Sequence, residues 1–164
     1  MNEIFERVSI RRFEDRPVER EKLLALLRAA MAAPSAGNQQ PWEFYVITDR
    51  EMIKALSAVT PYSACAAGAP VVIAAVYRDK LWAPAYAQID MSIAMENLWL
   101  ACGGQGLGGV WLGIAPVEER MRAVEEIIAI PEGQRAFALF PVGYPAENRR
   151  QQDRFDEARI HFIE

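Results

Sequence analysis

The stretch Ala33-Pro34-Ser35-Ala36-Gly37-Asn38-Gln39-Gln40-Pro41-Trp42 is the longest run of uncharged polar and turn-forming residues in the chain. It separates a leucine-rich segment from one rich in aromatic and β-branched residues, and its prolines and glycine predict a loop. Its side chains donate and accept hydrogen bonds without charge, which suits a flat, uncharged ligand better than a metal or a phosphate. The alternative is a polar turn that only joins a helix to a strand, and the loop taken alone favours that alternative.

The segments on both sides of this loop have clear helical or strand patterns. Leucines recur at helical spacing over residues 21–32, which predicts an amphipathic helix, and residues 42–48 predict a strand. Asp49 is typical of a helix N-cap, and the helix would run to about residue 58. Residues 70–77 are almost continuously apolar, which is typical of a central strand covered on both faces.

The second half of the chain begins with an almost uniformly apolar helix over residues 85–102, which must be buried within the monomer or between monomers. The next residues contain a G-x-G-x-x-G pattern at Gly104, Gly106 and Gly109. A dinucleotide-binding turn requires a strand before this pattern and a helix after it. Here the order is reversed, so we interpret the glycine run as a helix C-terminus with close backbone packing. The other expected elements are a helix at 2–8, a short strand or extended segment at 110–114, a helix at 117–128, a strand at 136–142, an extended arm at 145–155 and a terminal strand at 159–163.

Length and composition bound the class of protein. A chain of 164 residues predicts a single domain, residues 1–164. The apolar fraction of 52% is slightly high, which indicates a subunit interface. The net charge of −4 argues against a nucleic-acid-binding protein. The N-terminus lacks an apolar signal core and no run approaches the roughly 20 apolar residues of a membrane span, so we expect a cytoplasmic protein without membrane contact.

Arginines near the N-terminus form the densest basic patch in the sequence. Arg7, Arg11 and Arg12 surround the hydroxyl of Ser9. Such a cluster can hold a phosphate through charge-assisted hydrogen bonds. The alternative is a solvated surface patch whose arginines pair with the acidic residues at 14 and 15, and an isolated charge cluster favours that alternative.

Few side chains are suited to covalent, acid–base or metal chemistry. His161 is the only histidine, and neither Cys65 nor Cys102 belongs to a C-x-x-C pair. These facts disfavour a zinc site, a cysteine nucleophile and a disulfide framework. The arginine cluster, the neutral loop and the glycine run together suit a flat cofactor with a phosphate tail, which would itself supply the reactivity.

The chain resembles the short form of the FMN-dependent nitroreductases over nearly its whole length. Residues 7–11, Arg-Val-Ser-Ile-Arg, are similar to the family's R-R-S-x-R/K, and residues 34–42 are similar to P-S-x-x-N-x-Q-P-W. Residues 88–113 are similar to D-x-x-x-A-x-E-N followed by G-L-G-x-x-W-x-G. Residues 143–147, with Arg154 beyond them, also match, and the four motifs occur in the family's order.

This resemblance implies an α+β fold, with a mixed, mostly antiparallel β-sheet flanked by helices, and an intimate homodimer with FMN at the interface. The residues themselves already predict that no metal is bound, and the resemblance implies that the chemistry takes place on FMN rather than on a catalytic side chain. Arg7, Ser9 and Arg11 would hold the phosphate and ribityl end, and Arg154 would be a further phosphate ligand. The backbone N–H of Gly113 would lie near flavin N5. The loop residues that would approach the flavin of the partner chain are Pro34, Ser35, Ala36 and Asn38.

The sequence also departs from the family pattern. Val8 replaces the usual second basic residue, and Leu112 stands where some members carry an acidic residue. The chain lacks the insertions that cover the flavin in longer members, so the substrate side would be open or shaped by residues 60–69 and 78–84.

Two functions fit these observations. The first is an FMN-dependent oxidoreductase that works by a ping-pong mechanism, with NAD(P)H as donor and a nitroaromatic or quinone as acceptor. The second is a flavin-binding protein without turnover, such as a carrier, sensor or interaction module.

Overall fold

The computed structural model describes residues 2–163 and has an α+β architecture, as expected. The helices are α1 (Asn2–Glu6), α2 (Arg20–Met31), α3 (Arg50–Leu56), α4 (Ala87–Gly104) and α5 (Glu118–Ile127). The strands are β1 (Trp42–Ile47), β2 (Val71–Arg78), β3 (Gly108–Gly109), β4 (Leu112–Gly113) and β5 (Gln134–Gly143). In this described range, no helix is long and apolar enough to cross a membrane.

The sheet has the order β1-β2-β5-β3, and β4 also pairs with β5. All of these strand pairs are antiparallel. The one parallel contact among the described residues is an isolated bridge between Ser9 and Gly109.

Strand β2 is central and covered on both faces, which confirms the prediction from its apolar sequence. Val71, Ile73 and Ala75 face a core that includes residues of α2 and α4. Val72 and Ala74 face a second core formed with α3 and α5. Because successive side chains of a strand point to opposite faces, a strand between two helical layers must be apolar throughout.

The glycine run after α4 has the reversed order that excludes a dinucleotide-binding turn, since a helix precedes it and a strand follows it. Gly106 has a φ of +67°, which a glycine adopts without steric cost. The N–H of Gly106 donates to the carbonyl of Gly103 at 3.0 Å, and that of Leu107 donates to Cys102 at 2.9 Å. These two bonds form a Schellman motif, which ends the helix.

The predicted terminal strand at 159–163 is wrong. Glu157–Arg159 form a 3₁₀ turn, and no strand follows in the residues described, up to 163. Asp156 accepts a hydrogen bond from the N–H of Ala158 at 3.1 Å and pairs with Arg159 at 2.9 Å, so local contacts stabilise a turn. A strand also needs a neighbouring edge, and Phe162 and Ile163 are instead exposed.

Candidate functional site

A cationic cavity lies where the N-terminal segment meets the C-terminal arm, and we call it the arginine cavity. Its volume is about 260 Å³. Among the described residues, five arginines and no carboxylate line it. The lining residues are Arg7, Val8, Ser9, Arg11, Arg149, Arg150, Gln151, Gln152 and Arg154. The fold therefore brings together all four residues that the family resemblance assigns to the phosphate and ribityl end: Arg7, Ser9, Arg11 and Arg154.

The N-terminal segment is fixed beside the cavity by the glycines of β3. The N–H of Ile10 donates to the carbonyl of Gly109 at 3.0 Å. A Cβ on Gly108 would lie 2.6 Å from the side chain of Ile10, so this approach is open only to glycine. Close backbone packing, which the sequence predicted for the glycine run, thus holds Ser9 in place.

Arg7 is tied to α4 rather than free in solvent. Its guanidinium lies 4.1 Å from the ring centroid of Trp99 and 3.6 Å from a carboxylate oxygen of Glu96. The arginines of this cluster do not pair with Glu14 or Asp15 in the described structure, so the ion pairs that this alternative supposed are absent there. Arg7 is positioned by a cation–π contact and one ion pair, with its side chain 15% exposed.

Glu147 anchors the same segment from the other side. Its carboxylate accepts the backbone N–H groups of Arg11 at 2.6 Å and Arg12 at 3.1 Å, and pairs with Arg149 at 2.9 Å. The backbone hydrogen bond from Arg11, assisted by Arg149 and opposed by slight burial, lowers the pKa of Glu147. The carboxylate therefore stays charged and fixes the direction of Arg11.

A second cavity of about 390 Å³ surrounds Gly113, and we call it the Gly113 cavity. Its lining residues are Arg11, Thr60, Tyr62, Val110, Trp111, Leu112, Gly113 and Arg120. Arg11 lines both cavities, so the two are adjacent. A Cβ on Gly113 would meet no atom within 4 Å, which leaves its backbone accessible.

The polar loop is built around one buried carboxylate. Asp90 of α4 is 3% exposed. Its two oxygens accept the backbone N–H of Ala36 at 2.9 Å and the side-chain amide of Gln39 at 2.7 Å. Two non-glycine residues of the loop, Asn38 and Gln40, have φ values of +59° and +47°. Such conformations cost energy and persist only when the surroundings impose them.

Two predicted ligand-binding side chains of the loop already have partners within it. The hydroxyl of Ser35 accepts the N–H of Gln40 at 2.9 Å, and the amide oxygen of Asn38 accepts the side chain of Gln40 at 2.8 Å. Pro34, Ser35, Ala36 and Asn38 line neither the arginine cavity nor the Gly113 cavity. Within one chain, these loop residues therefore do not join the predicted site residues that line the two cavities.

The segment after β2 packs on the same loop. Gln39 donates to the carbonyl of Ala83 at 3.1 Å and accepts its N–H at 3.2 Å. The ring of Trp82 lies so close to Gly37, which has a φ of +49°, that a Cβ there would be 1.9 Å from it. Trp82 is 72% exposed, and its ring packs against the side of the loop.

The sequence matches the Nitroreductase family over residues 4–65 and 55–144, and the chain belongs to that family. A relative from Methanothermobacter thermautotrophicus, which bears the provisional name NADH dehydrogenase/NAD(P)H nitroreductase, is 42% identical over 156 residues. That match covers 94% of this chain and 82% of the relative.

Solved structures show the same fold. A provisionally named NADH oxidase from Clostridium acetobutylicum is 41% identical, with a TM-score of 0.95 and 99% of each chain covered. A provisionally named nitroreductase from Desulfovibrio desulfuricans was crystallised in complex with FMN. It is 30% identical with a TM-score of 0.85, and the match covers 99% of this chain and 95% of that one.

Several residues of the site were not expected from the sequence. Arg149, Arg150 and Gln151 join the arginine cavity because the arm folds back, and Gln151 donates to the carbonyl of Arg7 at 2.7 Å. The basic composition of the arm was the feature of the sequence that could have indicated these residues. Asp90 could have been noticed as an acidic residue in the most apolar helix.

Proposed function

We propose that this chain is an FMN-dependent oxidoreductase that uses NADH or NADPH. The observation that carries the proposal is the arginine cavity, which adjoins the Gly113 cavity through Arg11. The cationic arginine cavity suits the anionic phosphate of FMN. The open Gly113 cavity, with its accessible backbone, suits the flat ring system at the other end of FMN. The membership of the chain in the nitroreductase family supports the same assignment.

The residues present fit this cofactor. Guanidinium groups bind phosphate with paired, charge-assisted hydrogen bonds, and the cavity offers five of them, of which Arg7 and Arg149 also pair with Glu96 and Glu147 outside its lining. We assign Arg7, Ser9, Arg11 and Arg154 to the phosphate and ribityl end. The accessible backbone of Gly113 would lie beside flavin N5.

The second half of the site would come from a partner chain in a homodimer. The loop residues 34–38 line neither cavity of their own chain, so they would serve the flavin of the partner. Exposed apolar side chains on α4, 55% for Ile89 and 38% for Ile93, give a second copy a surface to cover. The helix that the sequence predicted to be buried within or between monomers thus supports the dimer.

When bound, FMN would supply the redox chemistry by accepting a hydride from NAD(P)H and passing electrons to an acceptor such as a nitroaromatic or a quinone. The chain itself would bind, orient and shield the reactants rather than provide a catalytic side chain. Ping-pong kinetics are expected because donor and acceptor would use the same open cavity in turn. The cytoplasmic location stays a prediction.

Absorption spectroscopy tests this function directly. The purified protein should show the flavin bands after incubation with FMN and removal of the excess. Anaerobic addition of NADH or NADPH should then bleach them. A protein that retains no flavin would contradict the proposal. Retention without bleaching by either nucleotide would instead indicate a flavin carrier or sensor.

We expect Arg11→Ala to weaken FMN binding by about 1.5–3 kcal/mol, which is the range for a hydrogen bond to a charged group. Fluorescence titration of FMN measures the change. Arg12→Ala is the matched control, because the neighbouring Arg12 lines neither cavity. Equal affinities in the wild type and Arg11→Ala would show that the cluster is only a surface patch.

A further inference from the structure

The described residues that line the Gly113 cavity carry two positive charges and no negative one. The charged residues are Arg11 and Arg120. Arg11 also lines the arginine cavity, where our proposed function assigns it to FMN, whereas Arg120 is not among that cavity's lining residues. Arg120 is therefore a cation of the Gly113 cavity to which the proposed function assigns no role.

Arg120 has no charged partner among the described residues. Its side chain donates one long hydrogen bond of 3.5 Å to the carbonyl of Gly113. Within the part of the chain that the structure describes, no carboxylate lies within ion-pair distance of it. In contrast, Arg122 on the same helix pairs with Glu118 at 4.0 Å. A guanidinium without a carboxylate partner next to a cavity is available to bind an anion.

The helix that carries Arg120 is held firmly. Met121 and Val124 of α5 are 1% exposed and belong to the second core. Arg135 of β5 pairs with Glu118 at 2.7 Å and with Glu125 at 2.9 Å, which ties the helix to the sheet. The Arg120 backbone is thus fixed at the cavity, and only its side chain needs to adjust to a ligand.

Aromatic side chains complete the cavity. Trp111 and Tyr62 both line it, and Tyr62 is 76% exposed. A compact turn presents Tyr62: the hydroxyl of the fully buried Ser63 accepts the N–H of Thr60 at 3.0 Å and donates to the carbonyl of Ser57 at 2.9 Å. Flat walls with one unpaired guanidinium match an aromatic ring that carries an anionic group.

We propose that Arg120 makes this enzyme selective for electron acceptors that bear a carboxylate or sulfonate on an aromatic or quinone ring. The inference rests on the proposed function and specifies its acceptor. With a quinone, a hydride from NADH and a proton from solvent give NAD⁺ and the hydroquinone. The anionic group takes no part in the transfer, and Arg120 holds it through a charge-assisted hydrogen bond.

Two quinones separate the role of charge from reactivity: 1,4-naphthoquinone-2-sulfonate and the uncharged menadione. FMN-loaded protein is reduced with dithionite, and its reoxidation by each quinone is followed by stopped-flow absorbance. Arg120→Gln should slow the reaction with the sulfonate about tenfold and that with menadione less than twofold. Arg122→Gln, with an exposed and paired side chain on the same helix, should change neither rate.

Equal slowing of both quinones, or no slowing of either, would overturn the selectivity. So would slower reduction of Arg120→Gln by NADH with an unchanged sulfonate rate, because Arg120 would then bind the nucleotide. Weaker FMN binding by Arg120→Gln would show that it belongs to the cofactor site. Reduction by dithionite keeps the comparison of acceptors separate from the proposed use of NAD(P)H. A wild-type protein that binds no FMN would overturn both the proposed function and the proposed selectivity.

Discussion

Asp90→Ala is expected to lower the free energy of unfolding by about 3 kcal/mol, because two half-buried donors lose the carboxylate that accepts from them, and only the Gln39 amide keeps another acceptor, the carbonyl of Ala83. These donors are the backbone N–H of Ala36, at 2.9 Å from the carboxylate, and the side-chain amide of Gln39, at 2.7 Å. Urea denaturation of the flavin-free protein measures this loss.

The same change should weaken FMN binding. Without Asp90 the loop loses the contact that holds its left-handed residues Asn38 and Gln40 in place. In the proposed dimer this loop serves the partner's flavin, so affinity should fall in titrations under conditions where Asp90→Ala remains folded.

Two variants on the same helix are the controls. Asp90→Asn keeps one carbonyl oxygen as an acceptor and should recover part of the stability. Ser92→Ala removes only an exposed hydroxyl that bonds to the carbonyl of Gln88 at 2.7 Å, and should be nearly neutral. A loss below about 1 kcal/mol for Asp90→Ala would mean that other contacts hold the loop.

The arginine cavity could be predicted in part because half of it is local in sequence. Arg7, Ser9 and Arg11 lie within five residues, so the sequence alone identifies them as one candidate phosphate cluster, and the family resemblance then favours that interpretation over a solvated patch. Arg154 was found only through the family resemblance, since no local pattern links it to them. Arg149 and Arg150 were missed because their position depends on how the arm folds back.

Long-range contacts explain the other omissions. Asp90 lies 54 residues from the loop residue Ala36 that it holds, so no spacing rule connects them. Arg120 and Tyr62 meet at one cavity only because α5 and the turn after α3 pack near β4. The terminal strand was wrongly predicted for a different reason. Apolar residues favour a strand, but Asp156 caps a turn just before them, and Phe162 and Ile163 are exposed and pair with no described strand.

The sequence correctly predicted close packing around the glycine run, but it did not identify Gly109 as the glycine that packs most closely. Close packing was expected for the run as a whole. In the structure, Cβ atoms at Gly103 and Gly104 would meet nothing within 4 Å, whereas one at Gly109 would lie 2.4 Å from the ring of Phe140. The pattern of glycines in the sequence does not distinguish these positions, because the neighbour comes from β5.

Gly109→Ala is therefore expected to lower the free energy of unfolding by about 2–3 kcal/mol, as overpacking of a core does. The added methyl would also lie 2.7 Å from the carbonyl oxygen of Pro141, and the fully buried Phe140 has no space to retreat. Thermal or urea denaturation measures the loss. Gly103→Ala is the matched control: it adds the same methyl to an open helical position and should stabilise the protein by about 0.5–1 kcal/mol.

Gly109→Ala should also reduce FMN affinity, because the residues that the added methyl would crowd are in contact with residues that position the arginine cavity. Phe140 packs edge-on against Trp99 with ring centroids 5.9 Å apart, and Arg7 lies over the Trp99 ring. The carbonyl of Gly109 holds the N–H of Ile10, next to Ser9. A methyl group that moves β3 or Phe140 displaces Arg7 and Ser9 together. If Gly109→Ala loses stability but binds FMN as tightly as Gly103→Ala, the phosphate end of the site does not depend on this packing.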